Sequence, residues 1–421
     1  MRTLLSEWTF HKAGQGCFYT GLINAHGRDK FCFVFDCGST KGAGVLREEI
    51  KEFKQFLAGH HKKEIDVLVL SHYDADHVNQ LPSLLKETKC KIAILPYLTN
   101  EERISIYFSQ AISDGTDDDD YFSFITDPAG YLTNLNVDRI IFIDGNDEES
   151  DANINPGGPP TGFRYDHLSN EDKPRQSITD VSLRPIVMFK PTGFHNDPEK
   201  MEFMQHAGTK AELAKGHGTI RSGIYWEFFF HQKPQSPRMI WRFREKLKEI
   251  FKLNLAGDYV TYQDLRQMTI NAKARAKLKK AHIDFFGDIN ETGLVVMHGP
   301  LGQRHTESFR KTPLYSGKYC STILNGDCNL NTINYPAYIA GALPWTRFFQ
   351  VPHHGSTHSW YEWFDLNDLG LSQMVVNYGT NNKYKHPHQD VVEWIEANYP
   401  FWQLKRNTEK KKYSYHITSY I

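Results

Sequence analysis

A chain of 421 residues with 40% hydrophobic and 13% aromatic content can bury a large core, as two domains or as one elaborated α/β domain. Its 49 basic and 50 acidic residues nearly cancel, which excludes a global field that recruits polyanions and leaves any nucleic-acid contact to local patches. No stretch reaches the length of an apolar membrane span, the first residues show no long apolar leader, and six cysteines form no Cys-x-x-Cys pair, so a cytoplasmic protein with reduced core thiols is expected.

In chain order, residues 30–36 read as an apolar strand ending at Asp36-Cys37-Gly38-Ser39. Leu46, Ile50, Phe53 and Leu57 follow at helical spacing, with Gly59 placed to cap the helix end. Residues 65–70 read as a buried strand, and Pro82 opens a new helical pattern. Between them, residues 71–81 read SHYDADHVNQL, which crowds His72, Asp74, Asp76 and His77 into one turn. A strand ending in alternating His and Asp points residues 72, 74 and 76 to one side. Two imidazoles and two carboxylates on one spot repel one another or need a cation.

Residues 92–95 and 139–144 look like further buried strands, and the acidic run 117–120 like a solvated loop. The middle of the chain reads as helical. Residues 238–252 form a basic, aromatic amphipathic pattern with Trp241, Arg242, Phe243 and Leu247, and Lys273, Arg275 and Lys277 mark a second basic helix. Strand signals return at 294–297, 321–324, 348–351, 374–377 and 413–421. The expected organisation is one domain in two halves, 1–144 and 286–421, interrupted by an insertion at 145–285.

Three later segments repeat the pattern of a strand ending in ligand-type residues. Asn325-Gly326-Asp327 places a carboxylate past a tight glycine. Pro352-His353-His354-Gly355-Ser356 places two imidazoles after a strand, and Gly355 and Ser356 are expected to leave backbone amides open to an anion. His386-Pro387-His388 sets a rigid imidazole pair before a helix. Cys328 reads as a packed thiol rather than a ligand.

The set HxDxDH at 72–77, GQG at 14–16, FDCG at 35–38, NxxxLV at 290–295, NGD at 325–327, VPHHGS at 351–356 and HPH at 386–388 resembles the metallo-β-lactamase fold. Within it the chain looks like the hydrolase domain of the ComEC DNA-uptake proteins and their soluble relatives, over about residues 1–100 and 290–421. The resemblance implies a four-layer αββα sandwich with a large, partly helical insertion and two divalent metal ions at one edge. It implies that His72 and Asp74 hold one ion, that Asp76 and His77 hold the other, and that Asp327 bridges them. One of His353 and His354 would complete the second site, and Asp36 would orient a ligand histidine from behind. His386 and His388 would contact phosphate, donate a proton or serve the structure. Three departures stand out. Asp74 replaces the usual second histidine, Asn79-Gln80 replaces a Gly-Gly pair, and a further ligand is not placed among His167, His195, His206, His217, His231, His282 and His298.

Asp74 adds a hard oxygen donor, which moves the expected metal from zinc towards manganese, with zinc and then magnesium following. Two such ions activate a hydroxide, and phosphodiester hydrolysis gains most from the second cation because its transition state spreads negative charge over several oxygens. The expected function is a nuclease or phosphodiesterase acting on nucleic acid or a nucleotide, in DNA processing or antiphage defence. Asp76, His386 and His388 are its candidate catalytic residues. Arg242, Lys273, Arg275 and Lys277 would meet phosphates unless they form a solvated face. Two alternatives are a carbonyl hydrolase acting on a lactone, thioester or β-lactam, and a metal-stabilised scaffold that docks a protein through 145–285. No membrane partner is expected.

Overall fold

The computed structural model describes residues 3–25, 29–113, 119–145, 183–192, 197–223, 225–232, 237–251, 260–261, 293–300, 304–309, 312–317, 320–333, 335, 337–340, 343, 346–360, 373–398 and 404–420. Strands β1 (Thr3–Phe10), β2 (Gln15–Ala25) and β3 (Asp29–Lys41) pair antiparallel in sequence. Helix α1 (Ala43–Gly59) then leads to β4 (Glu64–Val69), and β3, β4, β5 (Lys89–Pro96) and β6 (Val137–Asp144) run parallel. Short helices α2 (Ala75–Val78) and α3 (Leu81–Leu85) link β4 to β5, and α4 (Asn100–Ser113), α5 (Asp119–Thr126) and α6 (Pro128–Asn134) link β5 to β6.

The sheet continues through β7 (Pro185–Pro191), β8 (Ala211–Ser222) and β9 (Trp226–Gln232). Strand β6 lies parallel to the first part of β8, while β7 and β9 lie antiparallel to it. Strand β9 passes the sheet on to β10 (Leu294–Pro300), and the hairpin β11 (Arg304–Phe309) and β12 (Thr312–Gly317) pairs with the C-terminal strand. Strand β10 lies antiparallel to β13 (Ser321–Leu324), after which β14 (Thr346–Gln350), β15 (Gln373–Asn377) and β16 (Leu404–Asn407) run parallel to it. Strand β17 (Tyr413–Tyr420) returns along β1. Helices α7 (Pro198–Ala207), α8 (Pro237–Phe251), α9 (Ala337–Ala340) and α10 (Gln389–Asn398) complete the mixed α/β architecture.

The parallel strands β4, β5, β6, β13, β14 and β15 are largely buried on both faces, which explains their apolar runs, while the polar β16 is partly exposed. On β4, Val67 and Val69 enter one core while Ile65 and Leu68 enter another with Leu46, Ile50, Phe53 and Leu57 of α1. The first of these cores also takes Phe33, Val296, Leu324, Phe348 and Val375, so both parallel runs share it. Val295, Ile323, Phe349 and Met374 face a third core with Val391 and Ile395 of α10. No described helix is long and apolar enough to cross a membrane.

Several expectations need correction. Among the described residues the middle of the chain is not helix alone: β7, β8 and β9 are hydrogen-bonded members of the sheet, with β8 pairing the edge left by β6 and β9 that left by β10. Gly59 is the last residue of α1 rather than its cap; His60 caps the helix and His61 takes the left-handed conformation, with φ 55°. Asp119 and Asp120 open α5, where acidic side chains complement the helix dipole, instead of sitting in a loop. The 238–252 pattern is α8, which buries Phe243 and Leu247 in the α1-side core and leaves Trp241 and Arg242 exposed. Lys273, Arg275 and Lys277 lie outside the described residues.

Candidate metal centre

The ends of β4, β13, β14 and β15 meet beside the middle of β3, and each of these strands delivers part of a single cluster. The four donors of the 71–81 segment do converge, but not as one face of a strand. Strand β4 stops at Val69, His72 and Asp74 lie in the following loop, and Asp76 and His77 stand on the single turn α2. Donor atoms of His72, Asp74 and Asp76 lie within 4.8 Å of one another, as do those of Asp76, His77 and His354.

Two glycines permit this approach. At Gly38 on β3 a Cβ would stand 2.5 Å from the Asp76 carbonyl carbon and the His77 amide nitrogen, so α2 can pack only on a bare backbone. Gly326, with φ +55°, turns the chain after β13 and lies where a Cβ would meet the Ser71 hydroxyl at 2.8 Å. That turn aims Asp327 into the cluster. Gln350 holds it from behind, its Oε1 accepting from the amides of Asn325 (3.0 Å) and Gly326 (3.1 Å).

Asp327 is the hub. Its oxygens lie 3.7 Å from Nε2 of His72, 3.4 Å from that of His77, 3.9 Å from that of His354 and 4.0 Å from that of His353. Nε2 of His354 is also 3.2 Å from Asp76. All four rings are turned this way by a partner on Nδ1. His77 donates to Asp36 (2.8 Å), His72 meets the Ser71 hydroxyl (2.7 Å), His353 meets the Ser359 hydroxyl (2.8 Å) and His354 donates to the Asn377 carbonyl (2.8 Å). Asp36 is fully buried at φ 56° and also accepts from the Ser71 amide and hydroxyl, each at 2.7 Å. Asp36 also forms a donor group with His72 and His77, on the Nδ1 side of the His77 ring, with both of its oxygens accepting hydrogen bonds.

The electrostatics are those of a site built for positive charge. Burial would raise Asp327, but His354, His77, His353 and His72 hold its carboxyl well below the ordinary range. Burial would discharge His77, yet Asp327, Asp36 and Asp76 raise it well above an ordinary imidazole. His72 goes the other way, lowered to about 4 by burial and by neighbouring His77. The buried Nε2 atoms of His72 and His77 have no hydrogen-bond partner. Orphaned imidazole lone pairs facing buried carboxylates, each ring anchored through its other nitrogen, are the donor chemistry of a bound divalent cation. The residues fit a pair of such ions, with oxygen donors well represented.

The remaining candidates separate. His386 is largely buried, lies 5.6 Å ring to ring from His353 and 6.3 Å from His354, and leaves Nδ1 without a hydrogen-bond partner. Burial and the neighbouring histidines lower it to about 3. His388 is engaged on both nitrogens, accepting from the Thr357 amide (3.0 Å) and donating to the Tyr384 carbonyl (3.2 Å). The amides of Gly355 and Ser356 are not open to an anion: they donate to the carbonyls of Pro352 (3.0 Å) and His353 (2.9 Å), because the chain tightens into a 3-10 turn there. Arg242 is exposed on α8 and belongs to none of the donor groups. Among the histidines left open for a further ligand, His298 is bound in the core by Tyr19 (2.9 Å) and Trp226 (3.3 Å). His206, His217 and His231 fall in no donor group among the described residues, and His167, His195 and His282 lie outside them.

Ser71, Ser359, Asn377 and Gln350 escaped the sequence reading. They act through hydroxyls, a backbone carbonyl and a side-chain amide, and so leave no motif. No curated protein matches the chain. The family model described as the metallo-beta-lactamase superfamily matches residues 19–170, the region that carries Asp36, His72, Asp74, Asp76 and His77.

Proposed function

We propose that the protein is a metal-dependent hydrolase that cleaves phosphodiester bonds in nucleic acid or a nucleotide. The observation that carries this reading is Asp74, a carboxylate grouped with His72 and Asp76 within 4.8 Å. It makes the donor set rich in oxygen, which suits manganese best, then zinc and magnesium. His72 and Asp74 would hold one ion, Asp76, His77 and His354 the other, with Asp327 between them. His354 is preferred to His353 because it shares a donor group with Asp76 and His77. When bound, the ion pair supplies Lewis acidity at the phosphate oxygens and a water nucleophile at neutral pH.

The chain's own residues hold and orient. Asp36 and Ser71 fix the rings of His77 and His72, and Asn377 fixes that of His354. His386, whose ring lies 5.6 Å from that of His353 and 6.3 Å from that of His354, would meet a substrate oxygen beside the donors, while His388 braces the loop that carries it. The core shared by Phe33, Val67, Phe348 and Val375 supports reading 1–144 and 286–421 as halves of one αββα sandwich, with β7 to β9 counted to the sheet. A cytoplasmic role in DNA processing or antiphage defence would suit such an activity.

The test is purified protein with manganese on single- and double-stranded DNA, RNA and cyclic dinucleotides, beside a panel of lactones, thioesters and β-lactams. Asp76→Asn should lower phosphodiester cleavage by about 100-fold or more. Hydrolysis of the carbonyl panel with every phosphodiester left intact would sink the reading.

A further inference from the structure

A cleft of about 440 Å³ lies beside the metal cluster, and its walls supply none of the cluster's donors. Gln15, Lys41, Asn79, Asn382, Lys383 and Tyr384 line it, and no carboxylate does among the described residues. It adjoins the centre through a ladder of rings. Tyr384 stacks on His386 at 5.6 Å and 22°, and His386 stacks on His354 at 6.3 Å and 26°. The wall is set in advance. Asn79 exchanges hydrogen bonds with the backbone of Ser39 (3.0 and 2.9 Å), and Asn382 donates to the carbonyls of Gly379 (2.8 Å) and His386 (2.6 Å). A pre-ordered wall lowers the entropy cost of binding.

Its chemistry is two ammonium groups, several amides and one aromatic face. The Lys41 ammonium is held by the Asn381 carbonyl at 2.8 Å, and that of Lys383 lies 4.9 Å over the Tyr384 ring. The Tyr384 side of the cleft is open, with the residue 38% exposed. Cations beside an exposed ring are the elements of a single-strand platform, where phosphates take the charge and an unstacked base takes the ring.

We propose that this cleft holds the single-stranded nucleic-acid chain on one side of the scissile phosphodiester, with Lys41 and Lys383 on backbone phosphates and a base on Tyr384. The proposal rests on the phosphodiesterase reading and specifies its substrate. A cation over an exposed ring is held less firmly than a stacked base, so the base displaces the Lys383 ammonium, which remains one residue away for the adjoining phosphate.

The test is fluorescence anisotropy of a short labelled oligodeoxynucleotide with the full chain in chelator, where no cleavage occurs. Tyr384→Ala should weaken binding by about ten-fold. Lys41→Ala with Lys383→Ala should flatten the dependence of log affinity on log salt by about 1.4, and the paired arginine substitutions should restore it. Unchanged affinity and salt slope in both variants would overturn the proposal, as would a loss that the arginine pair fails to rescue. Cleavage with manganese is scored separately. Wild-type protein that binds through these residues but leaves the strand intact keeps the cleft and rejects the phosphodiesterase reading. Cleavage with equal affinity in every variant does the reverse.

Discussion

Asp36 stands inside a strand with a left-handed backbone, a conformation few residues other than glycine adopt without cost. Its carboxylate returns that cost through three hydrogen bonds, from the Ser71 amide, the Ser71 hydroxyl and His77 Nδ1. Asp36→Asn keeps the shape but turns an NH2 group towards donors, so the His77 ring loses its anchor. Metal affinity should fall by about 10- to 100-fold, read by competition with a chromogenic chelator. Equal affinity in the two proteins would show that Asp36 does not orient the site. The donors themselves were legible because His and Asp crowd at strand ends in recurring strings. Which of His353 and His354 joins Asp76 was not, since only the fold shows that His354 is anchored to the Asn377 carbonyl and aimed at that carboxylate.

At the scale of elements, the parallel strands declared themselves as apolar runs, the polar β16 (Leu404–Asn407) excepted, and β13, at Ser321–Leu324, coincides with its expected range. The antiparallel strands β1 and β2 did not, because glycine and polar residues interrupt their pattern for packing reasons. Gly21 is bare because the Trp8 ring covers it, leaving a Cβ there only 1.9 Å from the ring. Strands β7 and β8 were hidden for a different reason: β7 is half exposed, and β8 mixes Lys215, Gly216, His217 and Gly218 into its length, so neither shows a continuous apolar run. The junction of β3 with α2 gives the sharpest test of element packing. Gly38→Ala should destabilise the protein by about 1–3 kcal/mol and displace Asp76 and His77, lowering metal affinity with it. Gly44→Ala, in the first turn of α1 with nothing within 4 Å of the new methyl, should be neutral or stabilising by up to about 1 kcal/mol. Thermal melts and metal titrations of both variants would check this, and equal behaviour would refute the packing argument.

Over the whole molecule, segments from both ends of the chain converge on α1 through one buried carboxylate. Glu49 accepts from Nδ1 of His11 (3.0 Å), and its oxygens lie 3.0 Å from the ammonium of Lys12 and 3.3 Å from that of Lys412, which leads into β17. Burial works against its charge, but the hydrogen bonds from His11 and Lys12 hold its pKa at about 2 against an ordinary 4.5. A carboxyl depressed by folding stabilises the native state fully above its unfolded value and loses that contribution as pH falls from there towards the folded one. The contribution at neutral pH is about 3 kcal/mol. His11 acts in the same direction, because burial lowers its pKa and the unfolded chain therefore takes up the proton first as pH drops below 6.5. Urea midpoints of the wild type should therefore fall between pH 7 and pH 3. Glu49→Gln should be less stable at pH 7 and change less below pH 4.5, so that the two curves converge in acid. The other carboxylates titrate in both proteins and cancel in the difference. Parallel curves across this range would mean that the Glu49 contacts do not tie the two ends of the chain to α1.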